Sequence, residues 1–284
     1  MKVMVTGAAG YIGRHVVKMA LEMGHEVIAS DFHFDGVDER AERCQVPIFS
    51  GAENIFEQVG KPDVCIHMAW RNGFIHNSPT HMADLSSHID FCWNMMKGGL
   101  AHLSVMGSMH EIGYWEGAID ENTPCNPLTQ YGIAKNAMRQ SLLLRAKETG
   151  CHLKWLRAYY ITGDDAHSNS IFAKIEKAAE EGKTVFPFTS GKNYYDFVDV
   201  DDLAKMIVAA SVQKKIDGII NVCSGKPVTL AERVERFIHE EGLNIRLEYG
   251  AFPDRPYDSP GIWGDAQKIT MIMDELHSGQ SDAE

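Results

Sequence analysis

No stretch of the 284 residues is apolar for long enough to cross a bilayer, so no transmembrane helix is expected. No secretory leader is recognisable either. Met1-Lys2 passes straight into the strand-like Val3-Met4-Val5, and a cytoplasmic protein is the expectation. Positive charge is scarce: 27 Lys and Arg stand against 39 Asp and Glu, a net charge of -12 with no long basic block. That balance argues against a nucleic-acid surface, though one or two arginines and backbone amides can still hold a phosphate. The six cysteines (Cys44, Cys65, Cys92, Cys125, Cys151 and Cys223) show no C-x-x-C pair, so reduced, mostly buried thiols are expected. The 13 histidines show no H-x-x-x-H or comparable spacing, and no metal site is expected. Internal repeats and low-complexity linkers are missing as well.

What remains is an ordinary globular composition, 44% hydrophobic and 23% charged, long enough for one large or two modest domains. Val3-Met4-Val5-Thr6 reads as a strand that runs into Gly7-Ala8-Ala9-Gly10-Tyr11-Ile12-Gly13. An amphipathic helix follows, with Val16, Val17, Ala20, Leu21 and Met23 on its apolar side. Glu26-Val27-Ile28-Ala29-Ser30 then reads as a second strand ending at Asp31. Strand, glycine loop, helix, strand and acid together read as a dinucleotide cradle. Glycines permit the turn, the approach of a pyrophosphate and close helix packing, and the helix N-terminus faces the phosphates. Gly7, Gly10, Tyr11, Ile12 and Gly13 are the candidate phosphate-binding residues, and Asp31 is placed to accept the ribose hydroxyls. Its carboxylate would repel a 2′-phosphate, and no arginine follows until Arg40, which favours NAD over NADP.

Farther along, Val46-Pro47-Ile48-Phe49 reads as a third strand and Asp63 to Ala69 as a fourth. Met82, Leu85, Ile89, Trp93 and Met96 recur at helical spacing and predict a helix over 82–97. Ala101 to Met106 reads as a fifth strand, ending in Gly107-Ser108-Met109-His110-Glu111-Ile112-Gly113. Tyr131 and Lys135 lie four residues apart, one helical turn from each other. A neighbouring ammonium is expected to lower the phenol pKa towards the working range and suit it to proton exchange with an alcohol oxygen.

These motifs resemble the extended short-chain dehydrogenases/reductases, the family of nucleotide-sugar epimerases, dehydratases and reductases. The resemblance rests on G-x-x-G-x-x-G at Gly7–Gly13, D-V-x-I-H-x-A at 63–69, Ser108 to Gly113, Tyr131-x-x-x-Lys135, and Asn221 to Thr229. It runs from Lys2 to about Lys268. It implies a Rossmann-like doubly wound parallel sheet with a smaller, interleaved C-terminal substrate domain. Residues 1–159 plus 196–223 would bind NAD, 160–195 plus 224–275 would hold a nucleotide sugar, and 276–284 would be a frayed tail. Ala69 would let the cofactor lie against its strand. Ser108, Tyr131 and Lys135 would be catalytic, with Lys135 also holding the nicotinamide ribose. Tyr160 stands where the family commonly has Asn, and Tyr195 where it commonly has Arg; with Ser108 and Arg255, Tyr160 is a candidate substrate contact, Arg255 reaching the diphosphate. Helices 82–97 and 131–147 would pair two subunits.

Within the family the same three residues serve several reactions. A 4,6-dehydratase places an Asp-Glu pair directly after the Ser or Thr; here Met109 and His110 stand there, and Met109 cannot exchange protons. Glu111, one place on, is the residue through which elimination could re-enter. G-S-x-x-E-x-G at 107–113 instead resembles the nucleotide-sugar 4-ketoreductases. The expectation is reduction of a nucleoside-diphosphate 4-keto-6-deoxyhexose, with a 4-epimerase holding NAD tightly as the alternative. A non-catalytic dinucleotide sensor is the remaining reading, and the presence of both Tyr131 and Lys135 argues against it.

Overall fold

The computed structural model describes residues 1–164, 170–254 and 259–281. The chain opens with β1 (Lys2–Thr6), α1 (Tyr11–Glu22), β2 (Glu26–Ser30), β3 (Glu42–Cys44), α2 (Ile55–Gln58) and β4 (Val64–His67). Next come α3 (Thr80–Ala83), α4 (Leu85–Lys97), β5 (His102–Ser108), a 3-10 turn over Met109–Glu111, β6 (Gly117–Ile119) and α5 (Gln130–Thr149). The middle holds β7 (His152–Ala158), β8 (Tyr160–Thr162), α6 (Ile171–Glu180), β9 (Val185–Pro187), β10 (Tyr194–Tyr195), β11 (Phe197–Asp199) and α7 (Val200–Val212). The chain closes with β12 (Gly218–Val222), β13 (Val228–Thr229), α8 (Leu230–Glu240), β14 (Arg246–Glu248), β15 (Gly261–Gly264) and α9 (Gln267–Ser281).

Among the described residues, seven parallel strands lie in the order β12-β7-β5-β4-β1-β2-β3. β4 and β5 are buried along their whole length, because helices cover both faces of the sheet. α1, α7 and α9 close one face over Val3, Val5, Ile66 and Leu156; α4 and α5 close the other over Met4, Cys65, Leu103 and Trp155. The strand order reverses beside β1, the switch point where ligands sit in open α/β sheets. A small second core gathers Phe172 and Ile175 of α6, Val234 and Phe237 of α8, and Phe188.

Several elements differ from the sequence reading. The third strand is Glu42–Cys44, not 46–49; Val46, Ile48 and Phe49 pack as loop against the core under α4. The helix expected over 82–97 breaks at Asp84 into α3 and α4. Asp199 caps α7, accepting the Asp201 N–H at 2.9 Å. The end of the chain, read as substrate lobe to 275 and frayed tail beyond, forms α9. That helix runs to Ser281 and returns Ile269 and Ile272 to the core, against α7 and β12. β6, assigned by sequence to the NAD-binding part, pairs with β15 in a four-stranded sheet with β10 and β13. All six cysteines are free thiols.

Candidate functional site

The glycine loop lies between the ends of β1, β2 and β4. Gly7 and Ala8 donate their N–H groups to the Ser30 carbonyl at 2.9 and 3.3 Å. Asp31 accepts from Ala9 N at 2.9 Å and from Phe32 N at 2.7 Å, so the acid braces the loop; a carboxylate has further lone pairs for ribose hydroxyls. Gly10 caps α1 with no side chain of its own, leaving the first amides of the helix open to an anion. A Cβ at Gly13 would sit 2.0 Å from the Gly7 carbonyl oxygen, so only glycine lets the helix approach this closely. Ala69 N donates to Thr6 Oγ1 at 3.2 Å, beside Gly7, and Ile12 packs onto the core beneath. The cradle therefore fits a dinucleotide pyrophosphate. Tyr11 does something the sequence did not suggest: its hydroxyl donates to the Gly163 carbonyl at 2.5 Å, joining α1 to the segment after β8.

Ser108 ends β5 and caps the 3-10 turn. Its N–H donates to Glu111 Oε1 at 2.7 Å while its hydroxyl accepts from His110 N at 3.3 Å. The Ser108 proton is thereby left for an oxygen in front of it, on the side of the Tyr131 phenol, whose pKa the hydroxyl draws down. Glu111 is 0% exposed. Its carboxylate accepts Trp155 Nε1–H at 2.9 and 3.0 Å and faces Arg157 at 3.5 Å and Arg139 at 3.6 Å.

Tyr131 and Lys135 project from the first turns of α5, whose N-cap Thr129 accepts the Gly132 N–H at 3.1 Å. Gly132 packs against the His110 carbonyl oxygen, which a Cβ would approach to 2.2 Å. Lys135 is buried. Its Nζ donates to the Met106 carbonyl at 2.8 Å and lies 3.9 Å from the centre of the Trp70 ring. A desolvated cation over an indole face gains ~2 kcal/mol. Burial pulls the Lys135 pKa down to about 7, against the opposing charge of Glu111 and the Cys92 thiol. Tyr131 corrects the expectation of a lowered phenol pKa. Burial, with the charge of Glu111, pushes it up to about 12, and the Ser108 hydrogen bond pulls only partly back. The spacing placed the lysine correctly; the loss of solvent around the phenol outweighs it.

Aromatic rings enclose Tyr131. His76 stacks on it at 5.6 Å, His81 lies at 5.3 Å, His110 at 6.0 Å and Trp70 at 6.1 Å. The loop over 70–79 is tied onto α5: Tyr131 N donates to the His76 carbonyl at 2.9 Å, and Gln130 N to Asn77 Oδ1 at 3.2 Å.

The structure thus brings Ser108, Tyr131 and Lys135 together. Tyr160 packs against Tyr195 at 4.4 Å and Phe197 at 5.7 Å, so the two family positions that depart in this sequence meet each other. Arg255 lies outside the described residues. The polar, glycine-containing stretch from Trp70 to Pro79 reads in the sequence as a substrate-binding loop, but Trp70 and His76 within it are not singled out there, and His81 and His110 are missed as site residues, since long-range packing carries no local signature. The bracing role of Glu111 is passed over too, although S-x-x-E at 108–111 is the spacing of a capping box.

The NAD dependent epimerase/dehydratase family matches over residues 3–223. A dTDP-6-deoxy-L-talose 4-dehydrogenase (NAD(+)) of Aggregatibacter actinomycetemcomitans is 45% identical over 271 residues, 93% of this chain and 99% of that protein. A putative UDP-glucose 4-epimerase of Methanocaldococcus jannaschii is 28% identical, covering 97% of this chain and 91% of its own. Among solved structures, a UDP-glucose 4-epimerase of Thermotoga maritima superposes with a TM-score of 0.79 at 23% identity, over 95% of this chain and 92% of that one. That likeness speaks for the fold.

Proposed function

Because the chain belongs to the NAD dependent epimerase/dehydratase family, we propose that it moves hydride between NAD and C4 of a nucleoside-diphosphate 6-deoxyhexose, as a dTDP-6-deoxy-L-talose 4-dehydrogenase does. The observation that carries this reading is the 45% identity along 99% of that relative, joined to the convergence of Ser108, Tyr131 and Lys135. The glycine loop and Asp31 would hold NAD, by its pyrophosphate and ribose, and NAD when bound would supply the hydride acceptor or donor. In oxidation the C4 hydroxyl gives its proton to the Tyr131 oxygen as the C–O bond becomes a carbonyl and the C4 hydride departs. In reduction the phenol returns the proton to the C4 oxygen. Ser108 donates to that oxygen and steadies its developing charge. Lys135, held by Met106 O and Trp70, would hold the nicotinamide ribose.

Elimination is disfavoured. Met109 is buried and proton-inert, and both oxygens of Glu111 are engaged by Trp155, so neither is poised at a sugar C5. The second lobe, with Arg255, would hold the nucleoside diphosphate. A homodimer would use the outer faces of α4 and α5, where Ile133 and Leu144 are exposed. Free thiols suit a cytoplasmic enzyme.

The purified protein should reduce NAD, read at the reduced cofactor's absorbance, when given dTDP-6-deoxy-L-talose, and should oxidise NADH with the 4-keto product. Conversion of UDP-glucose to UDP-galactose without net redox change, and no turnover of the 6-deoxy pair, would instead make it an epimerase.

A further inference from the structure

Five histidines lie around the Tyr131–Lys135 pair, and hydrogen-bond logic assigns three of them. Thr6 Oγ1 accepts from Met68 N and Ala69 N at 3.1 and 3.2 Å, so its own proton goes to His67 Nδ1 at 2.8 Å. His67 then carries its proton on Nε2 and donates to His88 Nδ1 at 2.9 Å. Trp70 Nε1–H donates to His81 Nδ1 at 3.0 Å, which leaves His81 Nε2–H for the Ile75 carbonyl at 2.9 Å. These three imidazoles are neutral, tautomerically fixed parts of the wall.

His76 and His110 are different. Their rings lie 4.3 Å apart and both border the Tyr131 ring, yet among the described residues the ring nitrogens of neither hold a hydrogen bond. The nitrogens of neither ring are fully enclosed, so both can be reached from outside the protein. Both backbones are pinned: His76 O accepts from Tyr131 N, and His110 N donates to Ser108. The rings come from two separate segments, the loop over 70–79 and the 3-10 turn, and converge where a sugar held on Tyr131 must lie. Burial favours the neutral form of both; a charge on His81 further disfavours one on His76, and a charge on His76 one on His110.

An alcohol whose oxygen sits on Tyr131 and Ser108 places its neighbouring carbons one bond from the reacting one. The substituents there would meet the rings that border the phenol. A neutral imidazole offers one donor and one acceptor, the complement of a hydroxyl. We propose that His76 and His110 together hydrogen-bond the hydroxyl at C3 of the hexose, fixing the face that C4 presents and selecting substrates that carry that hydroxyl. This rests on the reading of the protein as a dehydrogenase acting at C4. A site built to bind a hydroxyl rejects the analogue without it, because its own polar groups are left unpaired.

The test compares kcat/KM for the sugar nucleotide and its 3-deoxy analogue in wild type, His76→Phe, His110→Phe and His110→Gln. Phenylalanine keeps the ring packing and removes the hydrogen bond. Each Phe variant should lose about tenfold on the 3-hydroxy substrate, the equivalent of one hydrogen bond. It should lose little on the 3-deoxy analogue, keep its KM for NAD, and keep its Tm. His110→Gln, which restores a donor and an acceptor, should recover part of the loss. Equal losses on both substrates, or none on either, would overturn the inference while leaving the dehydrogenase reading intact. A wild type inactive on every 6-deoxy sugar nucleotide would overturn that reading and this one with it.

Discussion

Tyr131 carries its proton deep into the alkaline range in the free protein, since burial and Glu111 push its pKa up to about 12. A phenol in that state is ready to donate and reluctant to accept. The two directions of the reaction should therefore respond differently to pH. Reduction needs the protonated phenol, so its kcat/KM should stay flat between about pH 6 and 9 as far as Tyr131 is concerned. Oxidation needs the phenolate and should rise with pH by up to about tenfold per unit across the same range. Rate profiles in both directions check this, and a flat oxidative profile would mean that another group takes the proton. Tyr131→Phe should lower both directions by about 10²–10⁴-fold while leaving NAD binding, followed by calorimetry, in place. Lys135 adds a stability consequence with a definite sign. Its folded pKa, about 7, lies below the 10.5 of an ordinary lysine. Between those values the unfolded chain binds more protons, so this group's contribution makes the fold more stable as pH rises from 7 towards 10. The Y-x-x-x-K spacing made the pair visible in the sequence, but not the direction of the tyrosine's shift. That depends on rings and chain segments dozens of residues away.

At the scale of elements, the turn after β5 decides how Ser108 is held. Glu111 closes the capping box on Ser108 N and is the buried counter-charge of Arg157 and Arg139. Glu111→Gln keeps the volume and removes the charge. The buried Arg157 and the half-buried Arg139 would then lack their anion, and breaking a buried pair costs about 3–5 kcal/mol. Thermal denaturation should report a large drop in Tm; one close to wild type would mean that Asp120 O and other acceptors satisfy Arg157 unaided. Much of this layer was legible. Continuous apolar runs located β1, β2, β4 and β5, because parallel strands covered on both faces cannot be polar. β3 was not legible: two of its three residues are exposed, and an edge strand is defined by backbone pairing with β2 rather than by its side chains. The apolar run at 46–49 looked like a strand because loop residues that pad a core are apolar too. The break at Asp84 escaped notice because the apolar spacing continues through it.

For the molecule as a whole, the joint between the two lobes is the feature that sequence left most obscure. The return of α9 onto α7 and β12 could not be read from the sequence. An amphipathic helix states that it has an apolar face, not which surface receives it. At the joint sits Asp196, 0% exposed, between β10 and β11. Its carboxylate accepts from Ser224 N at 2.8 Å, Ser224 Oγ at 2.5 Å, Gly225 N at 2.9 Å and Gly264 N at 3.3 Å. Those donors come from the end of β12 and from β15, so one side chain gathers three passages of the chain between the sheets. A carboxylate can satisfy all four because it only accepts. Asp196→Asn turns one oxygen into an NH2 group that must face backbone N–H donors. The mismatch should cost about 2 kcal/mol, since buried donors lose their acceptor. In a domain of this size that lowers Tm by about 4–8 °C. The glycine loop and Asp31 lie in the other lobe and do not touch this joint. NAD affinity should hold while sugar-nucleotide KM rises, because the second lobe is no longer fixed against the first. An unchanged Tm with both constants unaltered would show that the lobes are held together elsewhere.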